Sequence, residues 1–502
     1  MALPKIHEHS RGQRFFLVRL LTFTLLLTLT RSHFEKFFQI EGGPQYMYYF
    51  AKIKVGSPGA EQSAIIDTGS DTLAFPCDHC QSSDCGTHQD PRFFSTKSTT
   101  FKFFMKCGMR TFYHNHQVCQ FVKSYAEGSS LLGFMAEDYI QFRNSRRVND
   151  PKLTKLNSLL KKDMRVKAEF GCTTKETGLF KTQYADGILG LDNGSTLIES
   201  IESENSTKTA KIFSFGLCFH NSGGIMSVDL RKRDVPDDKI VMLNKHINEY
   251  NSPIIVPYTD DNNYYEIEVS HFELENVKIP VPPINMMIDS GTTFTHFPTS
   301  YVNKILAQLN TYCKANSDKC GRLGDPTFKE DSCLELKQPD ENYKTEIDLL
   351  ASFPDIKIHL GSSPRPYVLH PKNYFYKEYD ENPNSKSIRL CLALKGEEEG
   401  RIILGAFSMI DHYFYFDRKV KQLKVFKEDC FLRTQQLLMK RKVRILEEVL
   451  DIVVDDKNIY VYIAALLASI GLIIWYTWRR KTRNSQNCLA APLSISANKR
   501  GN

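Results

Sequence analysis

Two short segments of this chain repeat one pattern 222 positions apart: Ile65-Ile66-Asp67-Thr68-Gly69-Ser70 and Met287-Ile288-Asp289-Ser290-Gly291-Thr292. Each reads apolar, apolar, Asp, Ser/Thr, Gly, Ser/Thr. One copy is ordinary turn chemistry, because Asp, Ser, Thr and Gly all favour turns. Two copies, each opening a half of similar size, imply a duplicated chain whose two lobes bring two carboxylates to one interface. The plain alternative is a pair of unrelated surface turns.

Two carboxyl groups in contact cannot both ionise cheaply, so they hold one proton between them. That state suits peptide hydrolysis. The ionised member takes a proton from a water held by the pair, and the protonated member polarises the scissile carbonyl. Neither a metal nor another cofactor is expected. The flanking residues fit the same chemistry. Thr68 and Ser290 are placed to tie the two loops together through hydroxyl-to-backbone bonds. Ser70 and Thr292 are placed to donate to the outer oxygens of Asp67 and Asp289. Gly69 and Gly291 permit a tight turn.

With these motifs the chain resembles the pepsin-like aspartic proteases, from about Tyr46 to Cys430. The resemblance implies a mostly β, bilobal fold. Tyr184-Ala-Asp-Gly-Ile-Leu-Gly-Leu191 looks like the strand that ends the first lobe's psi loop, and Arg401-Ile-Ile-Leu-Gly405 like its counterpart in the second lobe. Phe414 to Asp417 and Leu423 to Phe426 look like closing strands. Ser124-Tyr125-Ala126-Glu127-Gly128-Ser129 looks like the flap that folds over substrate, with Tyr125 as its tyrosine.

The departures narrow the resemblance. Many family members carry Trp seven residues after the first catalytic Asp, and here Ala74 stands there. The Asp usual after Leu404-Gly405 is Ala406. The Cys-rich insert opening at Cys77, the flap Tyr-x-Glu-Gly-Ser and an apolar C-terminal segment are similar to the plasmepsin V branch of apicomplexan parasites. Ala126 departs from that branch, which has a flap Cys. The resemblance implies cleavage after Leu in an Arg-x-Leu export motif, with Glu127 as the acid that binds the Arg and Gln183 as a second acceptor. An exposed hairpin charge and an ordinary strand residue are the plain readings of those two.

Phe15 to Leu29 is mostly apolar behind a basic start, so residues 1–30 read as a signal peptide or an uncleaved signal anchor. Residues 458–478 carry no charge, and as a helix would cover about 30 Å, the thickness of a bilayer core. Arg479, Arg480, Lys481 and Arg483 follow. They imply a cytosolic tail at 479–502 and a lumenal, single-pass type I enzyme in the endoplasmic reticulum membrane.

Of the 13 cysteines only Cys488 lies beyond that span. The other twelve (Cys77, Cys80, Cys85, Cys107, Cys119, Cys172, Cys218, Cys313, Cys320, Cys333, Cys391 and Cys430) are even in number, as disulfides in an oxidising lumen require. Resemblance to membrane-anchored memapsins implies Cys218 with Cys430 and Cys333 with Cys391. Nearness in sequence suggests Cys313 with Cys320. The other pairings stay open. Cys77, Cys80, Cys85 and His88 also have a loosely zinc-like spacing, the alternative to disulfides. Asn193 and Asn205 open N-glycosylation sequons.

The expected organisation is a first lobe at 44–226, with a Cys-rich insert at 77–119 and a basic insert at 143–167. A second lobe at 227–432, a stem at 433–457 and the apolar span follow. Only about 15 residues separate the leader from the first strand, too few for a large inhibitory prosegment. The basic insert carries nine basic and two acidic residues, as much net charge as the whole chain's +7. It lacks stacking aromatics, so it reads as a solvated loop and no nucleic-acid partner is expected. The partners expected are polypeptide substrates of the secretory lumen. Two other functions remain open: a memapsin-like sheddase of membrane proteins, and an inactive peptide-binding receptor.

Overall fold

The computed structural model describes residues 36–439, apart from 79, 106, 114–115, 143–164, 205–210, 233–252, 260–261, 323–326, 337–344, 379–387 and 399. The leader, most of the basic insert, Asn205, the stem beyond 439, the apolar span and the tail lie outside the described residues. Among the described residues no helix is long and apolar enough to cross a membrane. The described residues up to 435 belong to one compact unit, which carries both Asp motifs.

Alternating apolar and polar residues make strands that bury one face. In Tyr48–Val55 the side chains of Ala51, Ile53 and Val55 are buried, and Lys52 and Lys54 point outward. Strands from both halves of the chain form one end of the largest sheet. In spatial order these are Ile254–Pro257, Gln422–Lys427, His412–Asp417, Lys211–His220, Gly223–Lys232 and Lys36–Gly43, all antiparallel. The C-terminal strands therefore pair with strands that close the first lobe, and the two lobes share hydrogen bonds.

Lys36–Gly43 lies ahead of the expected lobe boundary at Pro44. It belongs to the fold because Phe38 and Ile40 are buried while Gln39 is exposed, and it pairs on both edges. Beyond it the sheet continues through the first lobe to the hairpin of His116–Ser124 and Ser130–Phe142. The second lobe has a seven-stranded sheet and a three-stranded one.

In the second lobe Thr299–Ala315 is a helix. Val302, Ile305, Leu306, Leu309 and Cys313 make its buried stripe, the i, i+3, i+4 spacing of an amphipathic helix.

All twelve cysteines are paired: Cys77–Cys172, Cys80–Cys85, Cys107–Cys119, Cys218–Cys430, Cys313–Cys320 and Cys333–Cys391. The three pairings expected from resemblance and nearness are among them. Cys218–Cys430 joins the central sheet to the segment after its last strand, closing a separation of 212 residues.

Because a cross-link restricts the unfolded chain more when it closes a longer loop, the two extremes should differ. Replacing Cys218 and Cys430 by Ala should cost up to about 5 kcal/mol on a chain-entropy estimate, and the Cys80–Cys85 pair about 2 kcal/mol. Urea midpoints of the two double variants against the parent check the order.

Candidate active site

Each Asp motif follows a strand that is paired in parallel with a short strand from later in the same lobe. Ala60–Asp67 runs beside Gly187–Gly190, with Asp67 in register with Gly190. Val277–Ile288 runs beside Ile402–Leu404, with Ile288 in register with Leu404. The chain leaves each pair of strands at the Asp and turns sharply. Leu191 N donates to Asp67 O at 2.7 Å, and Asp289 N to Leu404 O at 3.1 Å. The two segments expected to end the psi loops do so.

The two turns are then bonded to each other. Thr68 Oγ1 donates to Ile288 O at 2.8 Å, and Ser290 Oγ donates to Ile66 O at 2.7 Å. In return Thr68 N donates to Ser290 Oγ at 3.1 Å, and Ser290 N to Thr68 Oγ1 at 3.0 Å. Each hydroxyl is both donor and acceptor, and both residues are fully buried. The tie expected of Thr68 and Ser290 is made from both sides.

The carboxylates sit in matching cradles. Gly69 N donates to Asp67 Oδ1 at 2.8 Å and Gly291 N to Asp289 Oδ1 at 2.8 Å. Ser70 Oγ donates to Asp67 Oδ2, and Thr292 Oγ1 to Asp289 Oδ2 at 2.6 Å. The glycines serve a purpose different from the one expected. Neither has a positive φ, so neither is required by the turn itself. A Cβ on Gly69 would stand 2.7 Å from the Asp289 carboxylate, and one on Gly291 would press still harder on Asp67. Glycine is needed because each carboxylate lies against the opposite loop.

Asp67 and Asp289 are nearly inaccessible to solvent. Burial, and after it the facing Asp289 charge, holds Asp67 well above the usual carboxylate range, against the pull of Ser70 and the Gly69 amide. The pair thus keeps one proton where isolated carboxyls would have lost both. This is the condition that general acid and general base work by one pair requires.

The expected flap is a hairpin. Its turn is closed by Tyr125 N donating to Ser129 O at 2.9 Å and Gly128 N to Tyr125 O at 3.0 Å, with Gly128 at φ 93°. Tyr125 packs on a buried cluster that includes Phe50, Ile65, Phe121 and Phe180, its ring 5.0 Å from that of Phe180. Burial and the nearby Asp67 charge raise its phenol, so it stays neutral. Glu127 is exposed at the tip, and Gln183 is half-buried before the Gly187–Gly190 strand with its Nε2 buried and unpartnered. The two stand on separate elements, Glu127 on the flap and Gln183 in the first lobe's wall.

Other polar groups have partners that the sequence reading did not predict. His88 Nε2 lies 2.8 Å from Glu176 Oε2, both side chains almost fully buried, and His88 Nδ1 lies 3.3 Å from Gln183 O. Burial opposes a charge on His88, but Glu176, Asp186 and the carbonyl outweigh it and raise its pKa. Cys77, Cys80 and Cys85 are consumed by disulfides, so the zinc-like spacing assembles no thiolate cluster. Asp186 accepts from Ser63 N and Oγ and from Asp90 N, and burial raises it to about 6. These bonds brace the strand next to Asp67. The Ala-Asp-Gly segment was visible along the chain, but not what its carboxylate would hold.

Asn193, which opens one of the two sequons, accepts from Arg418 Nε at 3.2 Å through its Oδ1, and its Nδ2 is buried.

Comparison with known proteins agrees with the geometry. The family model described as eukaryotic aspartyl protease matches residues 48–427. The chain is 23% identical to plasmepsin V of Plasmodium falciparum (isolate 3D7) over 454 residues, covering 77% of this chain and 72% of that protein. It is 31% identical to aspartic protease 5 of Toxoplasma gondii over 206 residues, covering 36% of this chain and 19% of that protein. Aspartic proteinase 36 of Arabidopsis thaliana is 26% identical over 284 residues, 52% of each chain.

Asp67→Asn and Asp289→Asn should each abolish peptide cleavage and leave the fold intact, and a chelator should have no effect. The raised pKa also sets a sign for stability. Folded Asp67 retains a proton that the unfolded chain releases near pH 4, so its contribution is fully present below that range. That contribution is lost as pH rises through the folded value. Thermal midpoints should therefore decline from mildly acidic to alkaline pH, and decline less in Asp67→Asn.

Proposed function

The chain belongs to the eukaryotic aspartyl proteases and is a peptide hydrolase; from that premise we propose that it is a membrane-anchored endopeptidase of the endoplasmic reticulum that cleaves an Arg-x-Leu motif in exported proteins. The observation that carries the catalytic part is the symmetric pair of loops, bonded through Thr68 and Ser290, that sets Asp67 and Asp289 against one another.

The mechanism follows from the shared proton. Water bound between the carboxyls attacks the scissile carbonyl carbon. The ionised carboxylate takes its proton while the protonated one gives its own to the carbonyl oxygen. The tetrahedral diol collapses as the C–N bond breaks. One carboxyl returns a proton to the amine and the other regains one from the diol, so the pair ends with the single proton it began with.

The choice of substrate rests on the resemblance to plasmepsin V and on Glu127. A guanidinium stays charged and pairs best with a carboxylate fork. Glu127 is exposed at the flap tip, free to be carried onto a substrate when the hairpin closes. Gln183 brings a half-buried amide whose Nε2 lacks a partner. The side chain needs its oxygen aimed at substrate to serve an Arg, and amide orientation is set by the bonds available.

Glu127→Ala should slow cleavage of an Arg-x-Leu peptide at least about tenfold, because losing a desolvated charge pair costs about 2–5 kcal/mol, roughly thirtyfold or more. The same change should barely affect a peptide whose Arg is already Ala. Equal effects on both peptides would reject the Arg pocket and favour the sheddase.

The location rests on the apolar run at 458–478, the basic residues after it, and six disulfides, which persist in an oxidising compartment. External protease added to intact microsomes should trim only the tail beyond Arg479. Digestion of the catalytic lobes without detergent would place them on the cytosolic side.

A further inference from the structure

The flap is tied to the first catalytic loop at a point that the proton chemistry does not use. Lys123 stands two residues before Tyr125, and Asp71 one residue after Ser70. Lys123 Nζ lies 2.7 Å from Asp71 Oδ1 and 2.8 Å from Oδ2, so one ammonium is shared by both oxygens. Asp71 is itself held from below. Thr72 Oγ1 donates to its Oδ1 at 2.5 Å, and its backbone carbonyl accepts from Thr196 N at 3.0 Å. The anchor therefore belongs to the rigid floor of the first lobe, and the ammonium to the hairpin.

Strand alternation puts Phe121, Lys123 and Tyr125 on one face of the hairpin. Phe121 is buried in the cluster on which Tyr125 packs. Ala74 is part of that cluster and contributes only a methyl, so the Leu73–Pro76 strand offers the Tyr125 hydroxyl no side-chain donor. The apolar contacts of Phe121 and Tyr125 are non-directional, and the Tyr125 hydroxyl makes one neutral hydrogen bond with the Ser70 side chain. The two-oxygen ion pair to the residue beside Ser70 adds a second, charged tie between the hairpin and that loop.

We propose that Lys123 and Asp71 form a latch that sets the closed register of the flap, making them a positioning pair for substrate binding. Both side chains are about one-third exposed, 37% and 35%. Such a pair adds little to global stability. It acts instead on a hairpin tip that can open without unfolding the lobe, and there a modest interaction shifts the closed population several-fold. The latch goes beyond the peptidase assignment and depends on that reading only where turnover is measured.

The test has one arm that needs substrate and one that does not. In the full chain, Lys123→Met should raise KM for the fluorogenic Arg-x-Leu peptide three- to tenfold with kcat within twofold, because closure belongs to the binding equilibrium. Lys123→Arg, which keeps the charge, should stay within twofold of the parent. Lys123→Met and Asp71→Asn combined should be no worse than either alone. Without substrate, amide hydrogen exchange at Tyr125 and Gly128 should quicken in Lys123→Met while the thermal midpoint stays unchanged. If the parent does not cut the peptide, the substrate assignment fails and exchange alone judges the latch. Unchanged exchange, a loss in kcat at constant KM, or an Arg variant as impaired as the Met variant would overturn it.

Discussion

The active site depends on four hydrogen bonds between two hydroxyl residues and the backbone of the opposite loop. Thr68 and Ser290 each donate to a strand carbonyl across the interface and accept the other's amide. Because both are buried, neither hydroxyl has water as an alternative partner, and leaving either unpaired carries the full desolvation cost. This lattice presses two carboxylates together against their mutual repulsion. The repulsion is then relieved by retaining one proton, which is the reagent the reaction needs.

The rest of the fold holds that interface in place. The lobes share a sheet rather than only a contact, since His412–Asp417 pairs with Lys211–His220. Cys218–Cys430 fastens the same region covalently. Behind Asp67, the Asp186 carboxylate collects donors from Ser63 and Asp90 and fixes the neighbouring strand. Within the same core, Lys424 and Asp417 form a buried ion pair at 2.7 Å. Such a pair contributes less to net stability than to specifying which strands meet, because desolvation offsets most of its attraction.

The substrate side is built differently. The catalytic loops are buried and doubly bonded, whereas the flap presents exposed Ala126, Glu127 and Gly128 at its tip. Rigid chemistry below and an adjustable hairpin above suit an endopeptidase that must admit a chain and then enclose it. The same division places specificity on the exposed element, where a single charge can be changed without disturbing the dyad.

Much of this was legible in the chain because the signals were local. The duplicated Asp67 and Asp289 motifs, the period-two pattern of Tyr48–Val55, the buried stripe of Thr299–Ala315 and the even set of lumenal-type cysteines are properties of neighbouring residues. They were enough to establish two lobes, a carboxylate pair and the hydroxyls serving it. What they left open depends on residues far apart in sequence. Lys36–Gly43 becomes a strand only because two partners flank it. Cys77 meets Cys172 only because their strands are parallel neighbours. Gly69 and Gly291 are required for the closeness of the opposite carboxylate, which no φ preference reveals. His88 finds Glu176 across 88 residues, and the side-chain oxygen of Asn193 meets Arg418 across 225. Sequence alone determined which groups the chemistry has available, since periodicity and motif spacing are written along the chain. Only the tertiary structure decided what each group faces, because burial and partner choice are set by the strands that fold against it.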